Sequence, residues 1–293
     1  MRRTIRDLQA YKERGEKFAM ITAYDYPSAR LVDDAGIPVI LVGDTLGMVV
    51  LGYDSTIPVT LEDIIHHAKA VVRGAPNAII VADMPFMSYQ VSPDEALRNA
   101  GRLIQETGAT AVKLEGGAAM APTVKRIVQA GIPVMGHVGL TPQSVNQLGG
   151  YKLQGTTPRA AVQILTDAAA LQEAGAFAVV LETIPARLGK LVSKRLTIPT
   201  IGIGAGRSCD GQVQVFHDML GLFEAFKPRH ARRYAELGAE IREATARYID
   251  DVRSGAFPGE AESFKVDPAK LREAETLPYS GLTPSQAAHE VPE

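Results

Sequence analysis

Asp34-Ala-Gly-Ile-Pro-Val-Ile-Leu-Val42 reads as the end of a helix, a glycine, and a short strand with no polar face. The glycine closes the helix in the left-handed conformation. An unbroken apolar run fits a strand covered on both sides, as in a parallel sheet with helical crossovers. The phrase returns in Arg73-Gly-Ala-Pro-Asn-Ala-Ile-Ile-Val81, Thr107-Gly-Ala-Thr-Ala-Val112, Gln129-Ala-Gly-Ile-Pro-Val-Met135 and Glu173-Ala-Gly-Ala-Phe-Ala-Val-Val180. Its glycines are Gly36, Gly74, Gly108, Gly131 and Gly175. Repeated helix–glycine–strand units imply βα repeats. Working outward from these, strands are expected at 18–24, 39–43, 78–83, 111–115, 133–138, 178–182, 200–204 and 214–217, with helices at 61–72, 93–106, 158–173 and 186–194. Eight units favour a closed (β/α)8 TIM barrel of the α/β class; a doubly wound open sheet is the alternative.

The chain has 293 residues, 46% of them hydrophobic, which suits one such barrel of roughly 250 residues. After Pro228 it becomes charged and helical, from 232 to about 253, and the stretch 266–293 is rich in Pro, Glu and Ala. One barrel domain with a C-terminal helix is expected over 1–265, followed by a peripheral or flexible tail over 266–293. A net charge of -2 argues against a nucleic-acid partner. The first twenty residues carry charge throughout and no secretory apolar stretch. No apolar run is long enough for a membrane span. The single cysteine, Cys209, allows no intrachain disulfide. A cytoplasmic location is therefore expected, with no membrane partner.

In a (β/α)8 barrel, active sites form at the C-terminal ends of the strands. Here those ends carry Asp25, Asp44-Thr45, Asp83, Lys113 with Glu115, His137, Glu182, and His217-Asp218. Three carboxylates on neighbouring strands, Asp44, Asp83 and Glu115, suit a hard divalent cation, Mg2+ above all. A lone strand-end aspartate serves equally well as a helix N-cap. Lys113 and Glu115 stand two apart and so share one side of their strand. The lysine can hold a substrate carboxylate or polarise a carbonyl, or form a structural ion pair. His137 can act as base, acid or hydrogen-bond donor, or be a satisfied core histidine. Glu182, after Val179-Val180-Leu181, is the candidate general base. Gly202-Ile-Gly-Ala-Gly206 would let backbone approach a ligand, but it lacks the dinucleotide-binding spacing. A chelated 2-oxo acid with a base beside it suits enolate chemistry.

Thr22-Ala-Tyr-Asp-Tyr26, Val42-Gly-Asp-Thr-Leu-Gly-Met48, Ala82-Asp-Met-Pro-Phe86, Val112-Lys-Leu-Glu-Gly-Gly117, Gly136-His-Val-Gly-Leu-Thr-Pro-Gln-Ser144, Gly149-Gly-Tyr-Lys-Leu-Gln-Gly155, Ile201-Gly-Ile-Gly-Ala-Gly206 and Phe257-Pro-Gly-Glu260 closely resemble, in order and spacing, the ketopantoate hydroxymethyltransferase family. The likeness runs over about residues 4–264. It implies a barrel of the phosphoenolpyruvate/pyruvate type. It implies transfer of a hydroxymethyl group from 5,10-methylenetetrahydrofolate to 3-methyl-2-oxobutanoate through a Mg2+-stabilised enolate, giving 2-dehydropantoate on the route to pantothenate and coenzyme A. By resemblance, Asp44 and Asp83 bind Mg2+ directly and Glu115 through water. Asp44, Thr45, Asp83, Lys113 and His137 face the substrate, and Glu182 removes the C3 proton. A homo-oligomer, typically a decamer, is implied as well. Thr45 stands where the family usually has serine and keeps the hydroxyl. Tyr24, Tyr26 and Phe86 are the candidates for stacking on the pterin.

A Mg2+-dependent 2-oxo-acid lyase or phosphonomutase on the same barrel is the competing enzyme. Those families usually carry a catalytic cysteine or a different loop after the middle strands, whereas Cys209 follows the seventh strand. A non-catalytic scaffold would leave the strand-end charges as bystanders.

Overall fold

Eight parallel strands close into a barrel in the computed structural model, whose described residues are 2–224 and 228–276. They are β1 (Phe18–Thr22), β2 (Val39–Val42), β3 (Ile79–Asp83), β4 (Ala111–Lys113), β5 (Val134–Gly139), β6 (Ala178–Glu182), β7 (Thr200–Ile203) and β8 (Gly211–Gln214). Neighbours in sequence pair in space, and β1 returns to β8 with Phe18 opposite Gly211. The open sheet is excluded.

Period two along the strands builds two cores. Val39, Leu41, Ile79, Val81, Ala111, Met135, Ala178, Val180 and Ile201 fill the barrel interior, with Leu8 of the helix Ile5–Glu13 among them. The alternate residues, among them Ile40, Val42, Ile80, Val112, Val179 and Leu181, join the larger cluster shared with the surrounding helices. Strands buried on both faces explain why the sequence shows runs rather than alternation.

The helices Leu61–Gly74, Pro93–Thr107, Pro158–Glu173 and Ala186–Arg195 lie where the sequence puts them, within two residues. Three start on side-chain caps: Thr60 accepts from the Asp63 N–H, Ser92 from that of Glu95, and Thr157 from that of Ala160. Of the five repeat glycines, Gly36, Gly108, Gly131 and Gly175 are left-handed, with φ from +76° to +98°. Gly74 is not; it ends its helix, where an added Cβ would lie 2.5 Å from the Tyr26 carbonyl oxygen. Its lack of a side chain serves packing rather than a turn.

The eighth strand lies at Gly211–Gln214, three residues before the expected 214–217. That sequence, Gly-Gln-Val-Gln, offers no apolar run to read. Its glycine leaves room for the Phe18 ring, which an added Cβ would meet at 2.4 Å. The expected segment instead enters a short helix, Phe216–Met219, whose first N–H donates to Thr22 Oγ1.

Two compact units divide the chain between Gly238 and Ala239. The barrel lies wholly in the first. The second holds most of the helix Leu237–Ser254 and the helix Pro268–Thr276, neither with a buried residue. Of the expected tail 266–293, residues 277–293 lie outside the described residues. Among the described residues no helix is long and apolar enough to cross a membrane.

Candidate active site

The strand parity that fills the interior with Val, Ile and Ala changes chemistry at its last step. Ile79 and Val81 lead to Asp83, Ala111 to Lys113, Met135 to His137, and Ala178 and Val180 to Glu182. Asp44 follows β2 and Glu115 follows β4. Asp83 sits opposite Lys113 in the strand register.

These side chains form one connected network. Lys113 Nζ donates to Asp83 Oδ1 at 2.9 Å, with the two side chains 5% and 3% exposed. The other Asp83 oxygen accepts the Asp44 backbone N–H at 3.0 Å. Asp44 Oδ2 accepts from Gln143 Nε2 at 2.8 Å, and the Gln143 backbone N–H donates to Glu115 Oε2 at 3.0 Å. His137 lies between two carboxylates, Nδ1 at 3.3 Å from Glu115 Oε1 and Nε2 at 3.1 Å from Glu182 Oε2. Neither ring nitrogen is aligned for a hydrogen bond, so both contacts are ion pairs by proximity. Glu182 and Thr45 both line a cavity of about 320 Å³. The Thr45 hydroxyl caps no helix. All seven residues expected from the sequence are thus brought to one mouth.

Burial sets the electrostatics. It pushes the Asp44 carboxyl well above the usual carboxylate range, helped by the charges of Asp83 and Glu115. It also raises Asp83, against the pull of Lys113. Burial opposes the Lys113 ammonium, but Asp83, Glu115 and Asp44 outweigh it and keep the lysine charged. His137 is likewise opposed by burial and by Lys113, yet Glu115 and Glu182 lift it to about 9, an imidazolium at neutral pH. Burial works against the Glu115 carboxylate too, and His137, Lys113 and the Gln143 N–H together more than offset it.

Four carboxyl groups, Asp44, Asp83, Glu115 and Glu182, face only two cationic side chains, Lys113 and His137, and the raised Asp44 carboxyl reflects burial and that crowding. That shortage of cations fits a divalent cation, as does the all-oxygen donor set. Among the described residues, no three Asp, Glu, His or Cys side chains are arranged to hold a metal ion by themselves. The fit is therefore to a cation that takes one or two carboxylates and completes its shell with water and substrate oxygens, as Mg2+ does.

Two other strand-end signals have structural uses. Asp25 is an N-cap, accepting the Ser28 N–H at 2.7 Å. The stretch Gly202–Gly206 turns the chain against the helix Ala186–Arg195: a Cβ on Gly206 would lie 2.4 Å from the Ala186 Cβ. None of Tyr24, Tyr26 and Phe86 lines the cavity; among the described residues its phenyl and phenol rings are those of Tyr151 and Phe223.

Sequence reasoning passed over Gln143 and Tyr89. The Gln143 side-chain amide also donates to the Met84 carbonyl, its oxygen accepts from Tyr89 OH at 2.7 Å, and that hydroxyl accepts the Glu115 N–H. The available signal was the polar residue inside Gly-Leu-Thr-Pro-Gln-Ser144, directly after a strand end.

A model of the ketopantoate hydroxymethyltransferase family matches residues 2–260. A Chloroflexus aurantiacus protein named 3-methyl-2-oxobutanoate hydroxymethyltransferase is 60% identical over 274 residues, covering 94% of this chain and 97% of its own. A Moorella thermoacetica protein of the same name is 59% identical over 262 residues, covering 89% and 97%. Among solved structures, a phosphonopyruvate hydrolase complex with oxalate and Mg++ superposes with a TM-score of 0.58 at 12% identity, covering 93% of this chain and 96% of that one. A 2,3-dimethylmalate lyase of the PEP mutase/isocitrate lyase superfamily gives 0.54 at 17% identity, covering 94% and 95%. At such identities these two share the fold.

Proposed function

The chain belongs to the ketopantoate hydroxymethyltransferase family, and from that premise we propose that it transfers a hydroxymethyl group from 5,10-methylenetetrahydrofolate to 3-methyl-2-oxobutanoate. The product is 2-dehydropantoate, a step toward pantothenate and coenzyme A. The observation that carries this reading is a buried network with more carboxyl groups than cations and, at its rim, the one member of that network whose carboxylate reaches the cavity. That carboxylate is Glu182, 14% exposed, paired on one oxygen with His137 and with no other side-chain partner among the described residues.

Asp44 and Asp83 are the residues to hold Mg2+, with Glu115 reaching it through water. When bound, Mg2+ supplies positive charge where the keto oxygen becomes negative. Lys113 adds a fixed ammonium beside Asp83, suited to the substrate carboxylate. Thr45 offers a hydroxyl from the cavity wall. Glu182 takes the C3 proton, and the C–H electron pair becomes the enolate. The enolate carbon then bonds the methylene carbon of the donor. One bond from the methylene carbon to the folate nitrogens opens to give the electrophilic iminium before this attack; the other breaks as water supplies the hydroxyl, and tetrahydrofolate leaves with both nitrogens reprotonated. His137 holds Glu182 in position and offsets the charge on Glu115. The resemblance further supports a homo-oligomer, a decamer by preference, working in the cytoplasm.

The test is product formation from both substrates with Mg2+, followed by NMR. The proposal expects 2-dehydropantoate and tetrahydrofolate in equal amounts. Cleavage of a carbon–carbon or carbon–phosphorus bond in a 2-oxo acid, without use of the folate, would instead favour the lyase or phosphonomutase reading.

A further inference from the structure

Glu182 and Thr45 occupy only part of the wall of the 320 Å³ cavity. Beyond them lies Asp218, in the short helix after β8. It is 8% exposed, and its carboxylate has no hydrogen bond and no ion pair among the described residues. Arg233 acts on it only at longer range, and burial raises its pKa to about 6. Thr56, also on the wall, is 1% exposed, and its hydroxyl has no hydrogen-bond partner. Buried polar groups are nearly always bonded. Thr56 Oγ1 is closed off from the cavity, but Asp218, unpaired and on the cavity wall, points to a polar ligand that completes it.

The rest of the wall describes that ligand. Ile203, Val215, Tyr151 and Phe223 give it apolar and aromatic surface, while Arg229 and His230 stand exposed at the rim. Such a wall suits a ligand that is apolar in its middle. It carries paired N–H donors at the buried end and negative charge at the outer end. The carboxylate has two oxygens side by side, matched by two parallel N–H donors. A 2-amino-4-oxopyrimidine edge presents such a pair through its ring N–H and its exocyclic amine.

We propose that Asp218 anchors the aminopyrimidinone edge of the reduced-folate donor, with the aryl group between Tyr151 and Phe223 and the anionic tail at Arg229. The inference rests on the reading that the one-carbon donor is a folate, and it assigns that donor its subsite. Asp218 and Glu182 line the same cavity, so this edge and the methylene-bearing nitrogen share one space with the base. Asp218 does no chemistry here; it is a positioning and specificity residue.

The test compares tetrahydrofolate with an analogue lacking the 2-amino group, by calorimetry, on wild type, Asp218→Asn and Asp218→Ala. Wild type should bind the analogue about tenfold or more weakly, the loss of one hydrogen bond to a charged acceptor. Asp218→Ala should bind both ligands equally, at the weaker level. Its KM for methylenetetrahydrofolate should rise about tenfold or more, far beyond any change in the KM for the 2-oxo acid. The wild-type comparison needs no variant, so a variant that misfolds does not spoil it. Equal binding of folate and analogue by wild type would overturn the assignment of Asp218. So would an unchanged folate KM in both variants. Failure of wild type to use any folate would be a different result, because it removes the donor itself.

Discussion

Lys113 and Asp83 are buried against each other, so neither side chain tolerates loss of its partner. Asp83→Ala should cost about 3–5 kcal/mol of stability by leaving the ammonium unpaired, measured by urea unfolding. It should also weaken Mg2+ binding in a titration of the folded fraction. Stability in the variant equal to wild type would mean that Asp44 and Glu115 already compensate Lys113. Asp218 makes a pH prediction. Its folded pKa of about 6 lies above its ordinary 3.8, so the folded state holds the proton more tightly than the unfolded chain. The protonated form contributes stability that is fully present below about pH 4 and lost by about pH 6. Asp218→Asn escapes that loss. The difference in Tm, variant minus wild type, should grow between those pH values and then level off. A pH-independent difference would contradict the buried, unpaired carboxylate.

At the scale of elements, glycine decides how closely a βα loop can pack. Gly206→Ala meets the Ala186 Cβ at 2.4 Å and forces an L-residue to φ +83°. It should destabilise by about 2–4 kcal/mol. Gly131→Ala, at φ +87° with nothing within 4 Å, should cost only the conformational strain, about 1 kcal/mol. Equal losses on denaturant unfolding would remove the packing argument. The same contrast explains what was legible in the sequence. The strands at Val39–Val42, Ile79–Asp83 and Ala178–Glu182 announced themselves as apolar runs, and Asp83 and Glu182 end the last two on the parity of the interior residues. Strand β8 did not, because half of its four residues are glutamine and its packing depends on a missing side chain. Gln143 and Tyr89 were harder to read for another reason. They reach the site from a 3-10 turn and a distant loop, so their roles come from contacts 26 to 99 residues apart in sequence.

For the molecule as a whole, the barrel interior is an apolar plug with a charged lid, and the catalytic proposal depends on that lid carrying a divalent cation. Chelation should abolish turnover, and added Mg2+ should restore it without refolding, because the apolar interior does not depend on the ion. Sedimentation velocity should show a homo-oligomer near ten copies; a monomer at micromolar concentration would contradict that part of the reading. The most direct test of the central claim is deuterium exchange at C3 of 3-methyl-2-oxobutanoate, followed by NMR with and without Mg2+, for wild type and Glu182→Gln. The account predicts Mg2+-dependent exchange in wild type and a loss of about a hundredfold or more in the variant, with 2-oxo acid binding largely intact. Exchange that persists in the variant, or none in wild type even with a folate present, would contradict it.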